Sequence, residues 1–408
     1  MKRFTHSCLC LLLTSILALP AQAQTVGGSA AAASHQHSQG ARFASYQSAI
    51  DFYRQLADTY HWPAVIVTPV LRLGDRHPAV TDIRQRLILL GDLAYVEPGQ
   101  EGDLFDHDLE QALIGFQKRH GLDPDGVWGP RTRAALEVKP STRYRQLLLN
   151  RQRRQSFQAQ LSPDGHYVQV NIPAYEMRYF EQGREVLRMR AIVGKLKART
   201  PLVASEIRSL ELNPDWNVPS GIAYRDIVPE LEASPAYLDH KHLQLVEGYG
   251  NSMRVLSQWD LDFSRLYRGA APQQRFWQAP GPENPLGQMK FNFPNDYQVY
   301  MHGTPNAYLF DRPVRNFSSG CIRLEYPGEL ARRLFGKQGL TAQGTWLFED
   351  IIASGDNRIV RLPTPVAVYT TYWTAWLDEN QALQFRDDIY DLDQQEFVKL
   401  ESGELAGP

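Results

Sequence analysis

The sequence predicts an α+β multidomain protein, in which a small three-helix module precedes a β-rich domain that a helical insertion interrupts. Three observations carry this. At 408 residues the chain is long enough for two or three domains. Apolar residues recur at helical spacing between 66 and 137, and from 166 onward the recurrence falls to every second residue. Between 220 and 278 that two-residue period gives way to a helical, loop-rich stretch.

Residues 1–23 read as a secretory signal. Lys2 and Arg3 give a charged start, a mostly apolar run follows, and Ala21-Gln22-Ala23 is a small-residue cleavage site. The run is too short to span a bilayer, and no longer one follows. The expectation is an exported, periplasmic protein with no membrane span once Cys8 and Cys10 leave with the signal. Residues 24–65 form a flexible leader and an N-terminal helical segment. His35 and His37 lie in its low-complexity part and read as solvated, so no metal site is expected. A 43% apolar and 22% charged composition is that of an ordinary globular protein. A net charge of −2 with no Lys/Arg run argues against nucleic acid as a partner.

Within 66–137, Ile83, Leu87 and Leu90 share a helix face that Gly91 ends. Phe105, Leu109, Ala112, Leu113 and Phe116 repeat the pattern up to Gly121. Asp125-Gly126 makes a turn, and Pro130 opens a short third helix. No catalytic residue types cluster here, so the module should bind rather than react. Residues 138–162 read as a connecting basic helix with a solvated face. In the β-rich domain, 163–362, Val168, Val170 and Ile172 alternate with polar residues. Tyr175, Met177 and Tyr179 do so next, and Gln182-Gly183 supplies a hairpin turn before Leu187, Met189, Ala191 and Val193. In the insertion, 220–278, Trp259 and Trp277 read as packing in the core or in a cap. Residues 363–408 form a C-terminal extension, aromatic-rich and then helical.

After signal cleavage Cys321 is the only cysteine left, so it has no internal disulfide partner. It is either a small apolar core residue or a nucleophile. The alternation in Tyr297–His302 puts Gln298, Tyr300 and His302 on one strand face and Val299 and Met301 on the other. His302 lies 19 residues before Cys321, across a loop long enough to double back. An imidazole beside a thiol raises its thiolate fraction and can later protonate an amine leaving group. The Gly303 carbonyl is a local candidate for orienting the ring. Ser318-Ser319-Gly320 can turn the chain so that the N–H groups of Gly320 and Cys321 face a developing oxyanion. Tyr300 can add a further hydrogen bond. Arg323 suits either a substrate carboxylate or a structural ion pair.

The phrases LRLGDRHPAVTDIRQRL and FQKRHGLDPDGVWGPRTRAAL resemble the peptidoglycan-binding domain family. His302-Gly303 followed by SSGCIR at 318–323 resembles the signature of the L,D-transpeptidase catalytic (YkuD) domain. VNIPAYEMRYFEQGREVLRMRAIVGK and QAPGPENPLGQMKFNFPNDYQVYMHGTP extend the likeness to the large periplasmic branch of that family. Two positions depart from the commonest pattern: Ser319 stands where many members have a second histidine, and Arg323 where many have asparagine. The resemblance implies Cys321 as nucleophile and His302 as base and acid, with no cofactor. It implies a thioester with the third residue of a peptidoglycan tetrapeptide stem, usually meso-diaminopimelate, and loss of the terminal D-alanine. A side-chain amine from another stem then takes the acyl group in a 3→3 cross-link. It also implies that 220–278 caps the site, and that the partners are stem peptides and glycan. Two other readings stay open: a hydrolase using the same pair with water as acceptor, and a non-catalytic wall-binding protein.

Overall fold

The computed structural model describes residues 41–62, 69–95, 102–161, 164–263, 265–266, 273–336 and 347–402. The expected signal peptide and the leader as far as residue 40 lie outside the described residues. Five helices come first: α1 (Tyr46–Thr59), α2 (Ala79–Leu89), α3 (His107–Arg119), α4 (Pro130–Glu137) and α5 (Pro140–Gln158). Their starts follow local chemistry. Ser45 and Ser48 bond reciprocally at the head of α1, and Asp106 accepts the Leu109 N–H at the head of α3. Pro130 and Pro140 sit in first turns, where a missing N–H costs nothing. Ile83, Leu87, Phe105, Phe116 and Trp128 form the shared core, which α1 and α5 complete.

The connecting helix α5 keeps exposed residues, Gln152, Gln155 and Ser156 among them, but it also buries polar side chains. Asn150 is fully buried, its Nδ2 donating to Thr374 Oγ1 at 2.8 Å and its Oδ1 accepting the Thr374 N–H at 2.9 Å. Gln146 donates to the Thr374 carbonyl at 3.2 Å, and Arg153 meets Asp393 at 2.5 Å. Arg143, Gln146 and Asn150 are buried beside Leu147, Leu149 and Phe157, and no apolar period marks the polar ones in the sequence.

Strands β1 (Tyr167–Asn171), β2 (Glu176–Glu181), β3 (Arg184–Ile192) and β4 (Ala204–Leu212) follow. Positive φ at Gln182 (50°) and Gly183 (74°) makes the tight turn between β2 and β3. β5 (Trp216–Asn217) precedes the insertion, which contributes α6 (Ser220–Ile222), α7 (Val228–Ala233), α8 (Tyr237–His240), β6 (Gln244–Glu247), β7 (Arg254–Leu256) and β8 (Gln274–Gln278). The chain then makes β9 (Met289–Asn292), β10 (Met301–His302), β11 (Ile322–Leu324), α9 (Pro327–Phe335) and α10 (Leu347–Ser354). It ends with β12 (Arg358–Thr371), β13 (Ala375–Leu377), β14 (Leu383–Phe385) and α11 (Leu392–Ser402).

Eight strands close a barrel in the order β1-β12-β4-β9-β10-β11-β3-β2. Closure leaves no edge strand exposed. Met177, Leu210, Phe291, Met301, Ile322 and Val368 fill it from alternate positions. Each such side chain contributes about 1.5–3 kcal/mol by leaving water. The expected end of the β-rich domain at 362 falls inside β12. Residues 367–371 of that strand pair in parallel with β1, so the barrel closes on residues of the expected C-terminal extension. The rest of that extension divides. The β13–β14 hairpin packs Ala375, Leu383 and Phe385 into the helical core, and Tyr390 joins the barrel core.

The insertion is less helical than expected. Its strands join β5 in a four-stranded sheet, β5-β8-β6-β7, over its own core of Ile227, Leu231, Leu245 and Phe276. Trp277 lies in β8 and donates Nε1–H to Asp215 at 2.6 Å, whereas Trp259 is 77% exposed and packs in neither core nor cap. Among the described residues no helix is long and apolar enough to cross a membrane.

Candidate active site

The parallel pairing of β10 with β11 builds the site. Met301 lies opposite Ile322 and His302 opposite Arg323. Parallel neighbours need a long crossover, and the loop from 303 to 321 supplies it through a 3-10 turn at Ala307–Asp311. Met301 and Ile322 point into the barrel, so His302 and Arg323 point out of it. Cys321 immediately precedes β11. The expected strand is shorter than its sequence period: Gln298 has φ 56°, and Asn295 ties a turn by donating to the carbonyls of Phe293 and Val299, each at 2.8 Å. Tyr300 and His302 nevertheless line one cavity with Cys321, their ring centroids 5.6 Å apart. The cavity measures about 430 Å³, and Trp216 together with Ile222, Arg225 and Asp226 of the insertion forms one side of it.

His302 is 4% exposed, and its Nδ1 lies 2.6 Å from the Gly303 carbonyl. A carbonyl only accepts, so Nδ1 carries the proton and Nε2 keeps its lone pair. Burial and then the neighbouring Arg323 charge push the imidazole pKa down to about 3. The ring is therefore neutral at any ordinary pH. Burial pushes the Cys321 thiol up, against the Tyr300 amide and hydroxyl, which face the sulfur and pull it down. The resting pair is a neutral thiol and a neutral imidazole. A protonated thiol resists oxidation.

Hydrogen bonds hold the loop that carries Cys321. Gly320 has φ 119°, a region that side chains other than hydrogen rarely allow. Thr200 Oγ1 donates to the Gly320 carbonyl at 2.8 Å and accepts the Gly194 N–H at 2.9 Å. Tyr390 Oη donates to the Gly194 carbonyl at 2.5 Å and accepts the Thr200 N–H at 3.1 Å. Ser318 is buried, donates to the Cys321 carbonyl at 2.5 Å and accepts the Gly320 N–H at 3.2 Å. Those bonds bear on two expectations. Ser318 braces the turn as well as lining the cavity, and the Gly320 N–H is already engaged. Among the described residues the Cys321 N–H has no acceptor, so it is the amide left to meet an oxyanion. Ser319 is exposed, and its Oγ accepts from Arg225 Nη2 at 2.9 Å. Arg323 forms no ion pair among the described residues, and its buried Nε has no partner. The structural alternative for Arg323 thus lacks its carboxylate.

Reasoning from the sequence missed Thr200, Tyr390, Lys195 and Arg225. Each comes from a segment distant in the chain, and no local motif marks it.

The closed barrel thus brings a histidine on one strand and a cysteine at the start of its parallel neighbour to one cavity, with residues of the insertion along one wall. The comparisons give the family. Residues 165–368 match the L,D-transpeptidase catalytic domain (YkuD), half of the chain, and the protein belongs to that family. Residues 76–136 match the "Putative peptidoglycan binding domain". The chain thus combines the β-rich L,D-transpeptidase fold with a helical N-terminal region. A "Putative L,D-transpeptidase" of Haemophilus influenzae is 31% identical over 258 residues, 63% of this chain and 50% of that one. The N-acetylmuramoyl-L-alanine amidase CwlM of Mycobacterium tuberculosis is 42% identical over 73 residues, 16% of this chain and 18% of that one. The chain therefore spans half the length, or less, of these curated relatives. Among solved structures, the L,D-transpeptidase of Stackebrandtia nassauensis matches at 15% identity over 74% of this chain and 97% of that one, with a TM-score of 0.27. A likeness that loose carries no argument.

Proposed function

We propose that this protein is an exported, periplasmic L,D-transpeptidase acting on peptidoglycan through Cys321. One observation carries the reading: the β10–β11 pairing brings the Cys321 thiol and a neutral imidazole, whose Nδ1 the Gly303 carbonyl holds, to one cavity. The thiol attacks the carbonyl of the third residue of a tetrapeptide stem, meso-diaminopimelate, and passes its proton to His302 Nε2. The Cys321 N–H and the Tyr300 hydroxyl receive the negative charge that develops on the carbonyl oxygen. The C–N bond to D-alanine breaks as His302 returns the proton to the departing amine, leaving a thioester. An amine from a second stem then gives its proton to His302, forms the new amide and releases the thiol. The product is a 3→3 cross-link.

The balance of bonds supports this scheme, since one amide is exchanged for another and no external energy source or cofactor is needed. Arg323, with an unpaired buried Nε in the same cavity, suits a carboxylate of the donor stem. The helical module between 66 and 137 holds the catalytic domain near glycan, and 220–278 acts as the cap.

The test is mass spectrometry of the protein incubated with a purified disaccharide-tetrapeptide, with Cys321→Ala alongside. A dimer lighter than two monomers by one D-alanine, absent from the variant, supports transfer. Tripeptide alone replaces transfer with hydrolysis. An unchanged substrate in both samples leaves a wall-binding protein as the better reading.

A further inference from the structure

A second feature of the cavity lies on its cap side. Pro229 in the first turn of α7 has no N–H, so the carbonyl four residues before it, that of Arg225, has no helical donor. The chain widens there into a π turn, Ala223–Ile227, in which the Val228 N–H reaches back to the Ala223 carbonyl. The widened turn puts Arg225 and Asp226 side by side on the cavity wall. Arg225 Nε meets Asp226 Oδ1 at 2.7 Å, and Arg225 Nη2 reaches Ser319 Oγ at 2.9 Å, two residues from the nucleophile. Lys195 lines the same wall and acts on the Asp226 carboxylate. With Arg323, the cavity holds three cations against one carboxylate.

We propose that Arg225, Asp226 and Lys195 form a subsite for the amino-acid head at the end of the donor side chain. Arg225 and Lys195 hold its carboxylate, and Asp226 holds its ammonium. This rests on the reading of Cys321 as nucleophile toward the third stem residue, and it makes the cap a determinant of which third residue is accepted. A meso-diaminopimelate side chain ends in such a zwitterionic head, whereas a lysine side chain ends in an ammonium alone. The reach is right. Residues 319 and 321 have Cα atoms at most ~7 Å apart, and a four-bond carbon tether spans roughly 5 Å. Asp226 takes the Nε–Nη2 edge of Arg225 and Ser319 the other Nη2 N–H, so the Nη1 N–H groups are the ones left to meet a ligand carboxylate, from which a lone ammonium gains nothing.

The experiment compares D-alanine release from three tetrapeptides by the full protein. Their third residues are meso-diaminopimelate, the same residue with its distal carboxylate amidated, and lysine. The expected kcat/KM is ten-fold or more higher for the free acid than for the other two, because one charge-assisted hydrogen bond is worth about that much. Arg225→Gln should narrow the ratio toward one. Equal rates for acid and amide with the wild-type protein overturn the subsite while leaving the transpeptidase reading intact. So does an Arg225→Gln variant that loses the same factor on all three, which would make Arg225 only a brace between cap and loop. Release from none of the three removes the underlying reading, and the subsite with it.

Discussion

Replacing Thr200 with valine tests how the nucleophile loop is held. Valine keeps the branched shape and removes the hydroxyl. That hydroxyl donates to the Gly320 carbonyl at 2.8 Å and accepts the Gly194 N–H at 2.9 Å, at a residue that is 2% exposed. Both backbone groups would be left buried and unpaired, at about 1–3 kcal/mol each, so the variant should lose about 2–6 kcal/mol. A domain of this size shifts its Tm by roughly 2–4 °C per kcal/mol, which predicts a fall of at least ~4 °C. Activity should fall further, since Gly320 directly precedes Cys321 and a 1 Å displacement of a reacting group can cost about a hundred-fold. Thr200→Ser keeps the oxygen and loses one methyl, so it should cost only about 1 kcal/mol and keep most of the acylation rate. Thermal melts and intact-mass rates of Cys321 acylation measure both effects. A valine variant that melts and acylates like wild type, or a serine variant as damaged as the valine one, would refute the argument.

Gly320→Ala should slow acylation with little steric cause. The new Cβ would lie 3.5 Å from the Arg199 carbonyl oxygen and 3.7 Å from Val299, ordinary contacts, so the penalty comes from φ 119° and amounts to about 1–3 kcal/mol; an unaltered acylation rate would contradict it. Alkylation of Cys321 by iodoacetamide should rise with pH through an inflection above that of a free thiol, because burial opposes the thiolate; an inflection below pH 8 would mean a preformed ion pair. Stability should fall on acidification. His302 has its pKa pushed down to about 3, and burial, then nearby arginines, pushes His120 well below its usual value. The unfolded chain takes up a proton at each near pH 6.5 while the folded protein does not. Each histidine therefore costs about 1.4 kcal/mol per pH unit below that value, continuing for His302 to about pH 3. Urea titrations from pH 7 to 5 read the slope, and His120→Gln should reduce it unless the histidine is exposed in solution.

Much of the site was legible because its chemistry is local. A single cysteine between glycine and a β-branched residue, and a histidine ending an alternating run, mark themselves by residue type. The Gly303 carbonyl was reachable by the same logic, since no acid lies next to His302 and a neighbouring backbone oxygen was at hand. Ser318 and Gly320 went the other way. Their types suited an oxyanion turn, but which N–H remained unpaired depended on a Ser318 hydroxyl whose partners only the folded loop fixes.

Propensity, capping and alternation act within a few residues, so the helical module, the change to a two-residue period and the residue types around Cys321 could be read locally. The tertiary structure decided the rest. It threaded β12 past the expected domain end to close the barrel, buried polar side chains of α5 against the C-terminal segment, and set Tyr390 and Thr200 under the nucleophile loop. These are long-range polar contacts, and a buried amide or hydroxyl reads in sequence like a solvated one. The pairing of β10 with β11 also turned a separation of 19 residues into one strand spacing, which hydrogen-bond register alone decides.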